Sequence, residues 1–207
     1  MIADHDRSGW FGASDTAMIM GNWKTKTFRK WWQQKLGIDQ SHFTNTSMLA
    51  GTHYEHAILQ AIGAAEMDRQ ILIPELRLRV NLDGNTGSRV HEVKTYKLGG
   101  KPWKPKKDYV QQVQVQMFAV KKVWGGEVSA EIVAYGLTDA EYRNFFLDID
   151  PQRIMRFPVE YDEGFLQAYL PRLRYLAGCL EDGRWPGEIA TAPPGPRNDS
   201  DCWRCGG

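Results

Sequence analysis

Asp83, Glu92 and Lys94 are the residues of this chain whose types and spacing most directly read as chemistry. Two carboxylates that converge, with an ammonium beside them, can bind a divalent metal and hold a water near it. The stretch Leu76–Lys94 explains how they would be brought together. Leu76, Leu78, Val80 and Leu82 alternate with Arg77, Arg79 and Asn81, the period of a half-buried strand. Asp83-Gly84-Asn85-Thr86-Gly87 reads as a turn, because Gly and Asn adopt positive φ cheaply. A second strand follows, with Val90, Glu92 and Lys94 on one face. The predicted hairpin thus carries Asp83 at the end of one strand and a Glu-x-Lys pair on its neighbour. Taken alone, the same residues also suit a surface hairpin whose acids and lysine are merely solvated.

Other candidates flank the hairpin. A helix is predicted from about Ser47 to Glu66, with Tyr54, Ile58, Leu59, Ile62 and Ala65 on its apolar stripe. Glu55 falls on that inward stripe, where a carboxylate is costly unless paired or bound to a metal. A buried salt bridge to Lys94 is the alternative use for it. After the hairpin, Lys97, Lys101, Lys104, Lys106 and Lys107 follow with no acid between Thr95 and Lys107, and Trp103 stands in the same loop. Such a loop could follow a phosphate backbone, with Trp103 free to stack on a base, or could simply be solvated. Asp108 is read as the cap of a helix over Tyr109 to about Val123, bordered by Gln112 and Gln116.

The rest supplies a scaffold. Ser14 is expected to cap a short helix from Asp15 to Met20, and Thr25 or Thr27 a second with Phe28, Trp31, Trp32 and Leu36 inward. Val128–Tyr135 reads as a strand. Thr138-x-x-Glu141 has the form of a capping box, but Asn144–Ile149 and Met155–Glu160 read better as strands. A last helix, Glu163 to Asp182, should kink at Pro171 and end at Gly183. With 26 basic and 25 acidic residues, any polyanion-binding surface must be local. No apolar run reaches membrane-spanning length, and the N-terminus has no signal-peptide core. Three cysteines argue against a secreted disulfide framework and for a reducing cytosol. The expected division is one domain over residues 1–190, then a Pro/Gly linker and short tail over 191–207. Cys202-x-x-Cys205 in the tail, with Cys179, falls short of the four thiolates of an iron–sulfur cluster. Zinc held by these three and a histidine is conceivable, without flanking support.

The order of these pieces resembles the YqaJ-like viral recombinase family, which includes phage lambda-type exonucleases, within the PD-(D/E)XK nuclease superfamily. The markers are Arg7 with Ser14-Asp15, then Gly51-x-x-x-Glu55, Asp83-Gly84, Glu92-Val93-Lys94 and Tyr109-x-x-Gln112-Val113-Gln114. Leu82 stands where a proline commonly precedes the motif aspartate. The resemblance implies an α/β fold, a central mixed sheet flanked by helices. It implies Mg²⁺, with Mn²⁺ able to substitute, ligated by Asp83, Glu92 and the Val93 carbonyl, with Glu55 approaching from its helix. Lys94 would orient or help deprotonate the attacking water, and Gln112 would position the water or Lys94. Arg7 and Ser14 would grip a 5′-terminal phosphate, and Lys97, Lys101 and Trp103 would contact DNA. The implied activity is 5′-to-3′ exonuclease action on double-stranded ends inside a bacterial host cell. Its product would go to a single-strand annealing recombinase, and the enzyme would form a homo-trimer. A nicking or restriction-type endonuclease with the same site, or a catalytically dead DNA-binding fold, are the alternatives.

Overall fold

The computed structural model describes residues 8–39, 46–99 and 102–187, with only the backbone of 46–48. The sheet has five strands in sequence order: β1 (Glu66–Ile73), β2 (Leu78–Thr86), β3 (Arg89–Lys97), β4 (Ser129–Leu137) and β5 (Ile154–Val159). All neighbours are antiparallel except β3 and β4, which run parallel. That parallel pair needs a crossover, which α4 (Lys107–Trp124) supplies. One face of the sheet is covered by α1 (Thr16–Met20), α2 (Lys26–Lys35), α4 and α6 (Glu163–Glu181), around Phe28, Trp31, Trp32, Leu78, Val80, Leu82, Val113 and Leu173. The other is covered by α3 (Thr46–Ala61) and α5 (Asp139–Arg143), around Tyr54, Ile58, Leu59, Val93 and Tyr135. The expected α/β class and mixed sheet flanked by helices are what is observed.

Several elements differ from the sequence reading, each for a local reason. The helix predicted to Glu66 stops at Ala61, with Gly63 at φ 74°, and Glu66 opens the edge strand β1. The first hairpin strand continues through Asp83 to Thr86, so the turn is only Gly87-Ser88. Gly87, at φ 58°, supplies the positive φ that a two-residue hairpin requires. Asp83 is therefore a strand residue and not a turn residue. Asn144–Ile149 is not a strand. The capping box at Thr138 wins instead: its hydroxyl accepts from the Glu141 N–H, Glu141 accepts from the Thr138 N–H, and α5 begins there. Ser14 caps nothing; it lies in a 3₁₀ turn, Ala13–Asp15, that precedes α1. The first turn of α4 has Lys106 at its N-cap, with Asp108 inside it. The last helix, α6, spans Glu163–Glu181 with Pro171 inside it, as expected.

Gly84 sets how closely α3 approaches the sheet. A Cβ built there would lie 2.5 Å from Leu59 Cδ2, and Leu59 is fully buried. Gly84→Ala should cost about 1–3 kcal/mol by overpacking, read as a loss in chemical denaturation. In Leu59→Ala background the same change should cost clearly less, since the new methyl then fills space; additive costs in that double-mutant cycle would show that the contact does not set the spacing.

Candidate active site

The site lies where β2 and β3 part. Their ladder pairs Thr86–Arg89, Asn85–Val90 and Gly84–His91, and goes no further. Beyond Gly84 the backbone groups need other partners, because an unpaired buried amide or carbonyl costs as much as a lost hydrogen bond. Asp83 provides one: its carboxylate accepts the Val93 N–H at 2.8 Å. Gln116 of α4 supplies another, donating to the Asn81 carbonyl at 3.4 Å. The parting lets side chains from both faces of the sheet meet. Glu92 and Lys94 point toward α4, and Glu55 reaches in from α3 on the opposite face.

Glu92 is almost wholly buried. Its carboxylate accepts from Lys94 Nζ, from Gln112 Nε2 at 2.6 Å and from Gln116 Nε2. Gln112 and Gln116 are four residues apart and so share one face of α4. Gln114, between them, faces the other way: it donates to the Glu160 carbonyl and accepts the Asp162 N–H, tying α4 to the entry of α6. The Lys94 ammonium also sits 5.1 Å from the centre of the Tyr109 ring. Tyr109 in turn stacks on Trp103, which stacks on Tyr96.

The electrostatics are unbalanced toward negative charge. Burial, then Glu92 and Glu55, push the Asp83 carboxyl well above the usual carboxylate range. Burial, then Glu92 and Asp68, push Glu55 up to about 7. Burial works against the Lys94 charge, but Glu92 and Asp83 outweigh it and hold the ammonium firmly protonated. Glu55 makes no hydrogen bond among the described residues. Its carboxylate, His56 and Asp68 offer ligand atoms all within 4.8 Å of one another. His56 Nε2 lies 2.9 Å from Asp68. Asp68, at φ 56°, lies in β1 between Met67 and Arg69, which pair with Gly84 and Leu82 on either side of Asp83. Three carboxyl groups around one ammonium, all hard oxygen donors, fit a divalent cation such as Mg²⁺. Asp83, Glu92, Glu55 and the Val93 carbonyl are the residues that could hold it.

The predicted residues divide. Asp83, Glu92, Lys94, Glu55 and Gln112 come together, and Lys94 pairs with Glu92 rather than in the alternative bridge to Glu55. Ser14 is exposed on its turn, while Asp15 beside it is buried and bonded to Gly12 N, Trp31 Nε1 and Lys35 Nζ at 2.7, 2.8 and 2.6 Å. Trp103 is not free for a base: it is half-buried among Tyr96, Tyr109 and Phe157 and supports the wall behind Lys94. Lys97 is exposed but paired with Asp139 at 2.9 Å. Arg7, Lys101, Cys202 and Cys205 lie outside the described residues, and Cys179 is a buried free thiol. Gln116 was legible only as a border of the α4 stripe; its i+4 spacing from Gln112 was the available signal. Asp68 and His56 had none, since β1 was not anticipated. A cleft of ≈ 670 Å³ lined by His53, Tyr54, Phe145, Phe146 and Ile149 contains none of these carboxylates.

A profile of the YqaJ-like viral recombinase domain matches residues 4–123, more than half of the chain. The chain belongs to this family. The YqaJ-like fold is also that of solved exonucleases. An alkaline exonuclease, LHK-Exo, from Laribacter hongkongensis superposes with TM-score 0.62 at 21% identity, covering 85% of this chain and 90% of that one. The same enzyme in complex with dAMP gives 0.60 at 22%, with the same coverage. A phage-related exonuclease from Haemophilus somnus 129PT gives 0.57 at 12%, covering 84% and 92%. No curated protein matches the sequence. No helix among the described residues is long and apolar enough to cross a membrane.

The raised Glu55 carboxyl makes a signed prediction. Between about pH 4.5 and 7 the folded protein holds a proton there that the unfolded chain has released, so metal-free stability falls as pH rises through that window. Glu55→Gln should remove the Glu55 share of this decline and be more stable than the parent at pH 8 in EDTA, by at most about 3 kcal/mol. Thermal unfolding at pH 5 and pH 8 checks it; a variant no more stable than the parent at pH 8 would show that Glu55 is not strained by its neighbours.

Proposed function

We propose that this YqaJ-like chain is a Mg²⁺-dependent deoxyribonuclease that degrades duplex DNA from its ends. The chain is a nuclease by family and fold, and the observation that carries the chemical reading is the meeting of Asp83, Glu92 and Glu55 at the parted strands, with Lys94 beside them. Mg²⁺ held there would acidify a water and neutralise charge on the scissile phosphate. Lys94 keeps its ammonium fixed against Glu92 and Tyr109, where it can stabilise the charge that develops on the phosphate oxygens. Because that ammonium is held protonated, its part is electrostatic and orienting rather than that of a base. Gln112 and Gln116 hold Glu92 in one orientation, so the carboxylate needs no rearrangement during the reaction. A dead DNA-binding fold has no use for this arrangement.

The finer parts of the proposal are the end and its polarity. Arg7 and Ser14 would hold a 5′-terminal phosphate, the guanidinium through paired, charge-assisted hydrogen bonds. Degradation would then run 5′ to 3′, leaving single-stranded DNA for an annealing recombinase, with a homo-trimer around the duplex as the assembly. Support for this part comes from the family likeness and from the exposed Ser14, fixed by its buried neighbour Asp15.

Linear and covalently closed circular duplex, each with Mg²⁺ or with EDTA, test the proposal. Linear DNA should be digested with Mg²⁺ only, faster with a 5′-phosphate than a 5′-hydroxyl, and closed circles should resist. Rapid cutting of closed circles would replace the exonuclease with an endonuclease. Lys94→Ala should lose two to four decades of rate, about 3–5 kcal/mol of transition-state stabilisation, while calorimetric Mg²⁺ binding persists. A rate loss under about threefold would make Lys94 merely structural.

A further inference from the structure

The outer face of α2 is unusual in its charge. Lys26, Arg29 and Lys30 are exposed on it, at the i, i+3, i+4 spacing that places them side by side. Phe28, Trp31, Trp32 and Lys35 occupy the opposite, buried face. Among the described residues none of the three outer cations has an ion-pair partner. Between Thr16 and Ile38 the sequence has five basic residues and not one acid. Helix energetics disfavour this arrangement. Neighbouring like charges cost a few tenths of a kcal/mol per pair, and cations near a helix N-terminus oppose the macrodipole. A helix selected for stability alone would carry Asp or Glu in this first turn.

The helix is also tied to the segment that precedes α1. Trp31 Nε1 and Lys35 Nζ both bond Asp15, and Lys35 Nζ donates to the Trp10 carbonyl at 2.9 Å. The Trp10–Asp15 segment is in turn stitched to β2: Phe11 bridges Leu78, and its carbonyl accepts the Arg79 N–H at 2.8 Å. That is the end of the sheet where β2 begins and β3 finishes. The exposed Lys104, Lys106 and Lys107, which lead into α4, leave from the same end. Two acid-free basic segments therefore flank one end of the sheet, in a chain whose formal net charge is only +1.

We propose that the outer face of α2, through Lys26, Arg29 and Lys30, is a duplex-binding surface that contacts DNA phosphates away from the hydrolytic centre, without reading sequence. This rests on the nuclease reading above. Its partner is the regularly spaced negative charge of a DNA backbone, which three adjacent cations on a rigid helix match without a folding cost. Each phosphate contact releases counterions and steepens the salt dependence of binding by about 0.9 in log–log slope.

The test is anisotropy of a labelled, 5′-phosphorylated duplex oligonucleotide in EDTA, where no cleavage occurs, from about 50 to 200 mM salt. The triple variant K26Q/R29Q/K30Q should lower the slope by about 2.7, so that the parent loses roughly forty-fold more affinity than the variant across that range. The charge-keeping variant K26R/R29K/K30R should retain the parental slope. Thermal unfolding should place the triple Gln variant at or above the parent, because repulsion is relieved. A parental slope in a folded triple Gln variant would overturn this inference and leave the nuclease reading intact. A parent that fails to bind duplex at all, and fails to cut it with Mg²⁺, would instead overturn the nuclease reading.

Discussion

The hydrogen bond from Val93 N–H to the Asp83 carboxylate is the constraint on which the site depends. Two adjacent antiparallel strands would ordinarily continue their ladder, and here they separate after three pairs. Asp83 is thereby both a bridge across the gap and a carboxylate aimed into it. Gln116 completes the repair from the other side by taking the Asn81 carbonyl and Glu92 together. A gap bridged by side chains, rather than by backbone, is one into which Glu55 can reach from one face while Glu92 and Lys94 serve from the other. Such an assembly is poorly balanced as it stands. One ammonium faces three carboxyl groups, and the imbalance appears as raised Asp83 and Glu55 carboxyls. Protonation relieves it at low pH, and a divalent cation would relieve it at neutral pH.

That tension is affordable because the surrounding framework is heavily cross-braced. The α3 helix sits close over the hairpin only because Gly84 has no side chain. At the opposite face, Gln114 bolts α4 to the segment entering α6, which fixes the direction in which Gln112 and Gln116 project. Two buried carboxylates elsewhere are matched by cations, whereas in the site one ammonium serves three carboxyl groups. Glu141 receives Arg153 in a two-pronged contact as well as the Tyr135 hydroxyl, and its carboxyl is held down at about 2. Glu131 receives His91 and Arg156. The contrast separates Glu141 and Glu131, which are satisfied and held acidic, from Asp83 and Glu55, whose carboxyls are raised by burial and by the negative charge around them.

What the sequence disclosed follows the range of the interactions involved. Strand alternation around Leu78, Val80 and Leu82, the Glu-x-Lys face and the inward Glu55 are local patterns, and all were legible. The Asp83–Gly87 run was misread because Asp, Gly, Asn and Thr are turn formers by propensity, whereas cross-strand pairing with Met67 and Glu66 keeps Gly84 and Asn85 extended. The edge strand β1 was missed because only Ile71 and Ile73 of its eight residues are buried, too short an alternation to announce it. With β1 went Asp68, whose position between the partners of Gly84 and Leu82 exists only through strand register. Trp103 looked available because a tryptophan between prolines in a lysine-rich loop is locally unconstrained. Its stacking on Tyr96 and Tyr109 is a tertiary fact.

The charge distribution joins these levels. Residues Thr16–Ile38 and Thr95–Lys107 together contain ten of the 26 basic residues and none of the 25 acidic ones, which leaves the remaining chain at −9. A near-neutral protein is thus a strongly polarised one. The cationic segments project at one end of the sheet, and the carboxylates of the site lie inside the parted strands. For a polyanionic substrate the two parts pull in opposite directions, since acidic groups repel the phosphates that the lysines attract. Under the proposed function the conflict would be resolved spatially: outer cations would raise the local concentration of duplex over a range set by the Debye length, about 8–10 Å, while the inner carboxylates would act only on a phosphate delivered to them with its neutralising cation. A site built this way discriminates by charge state. Under the proposed function it would repel the DNA backbone without a divalent cation and become complementary to it with one.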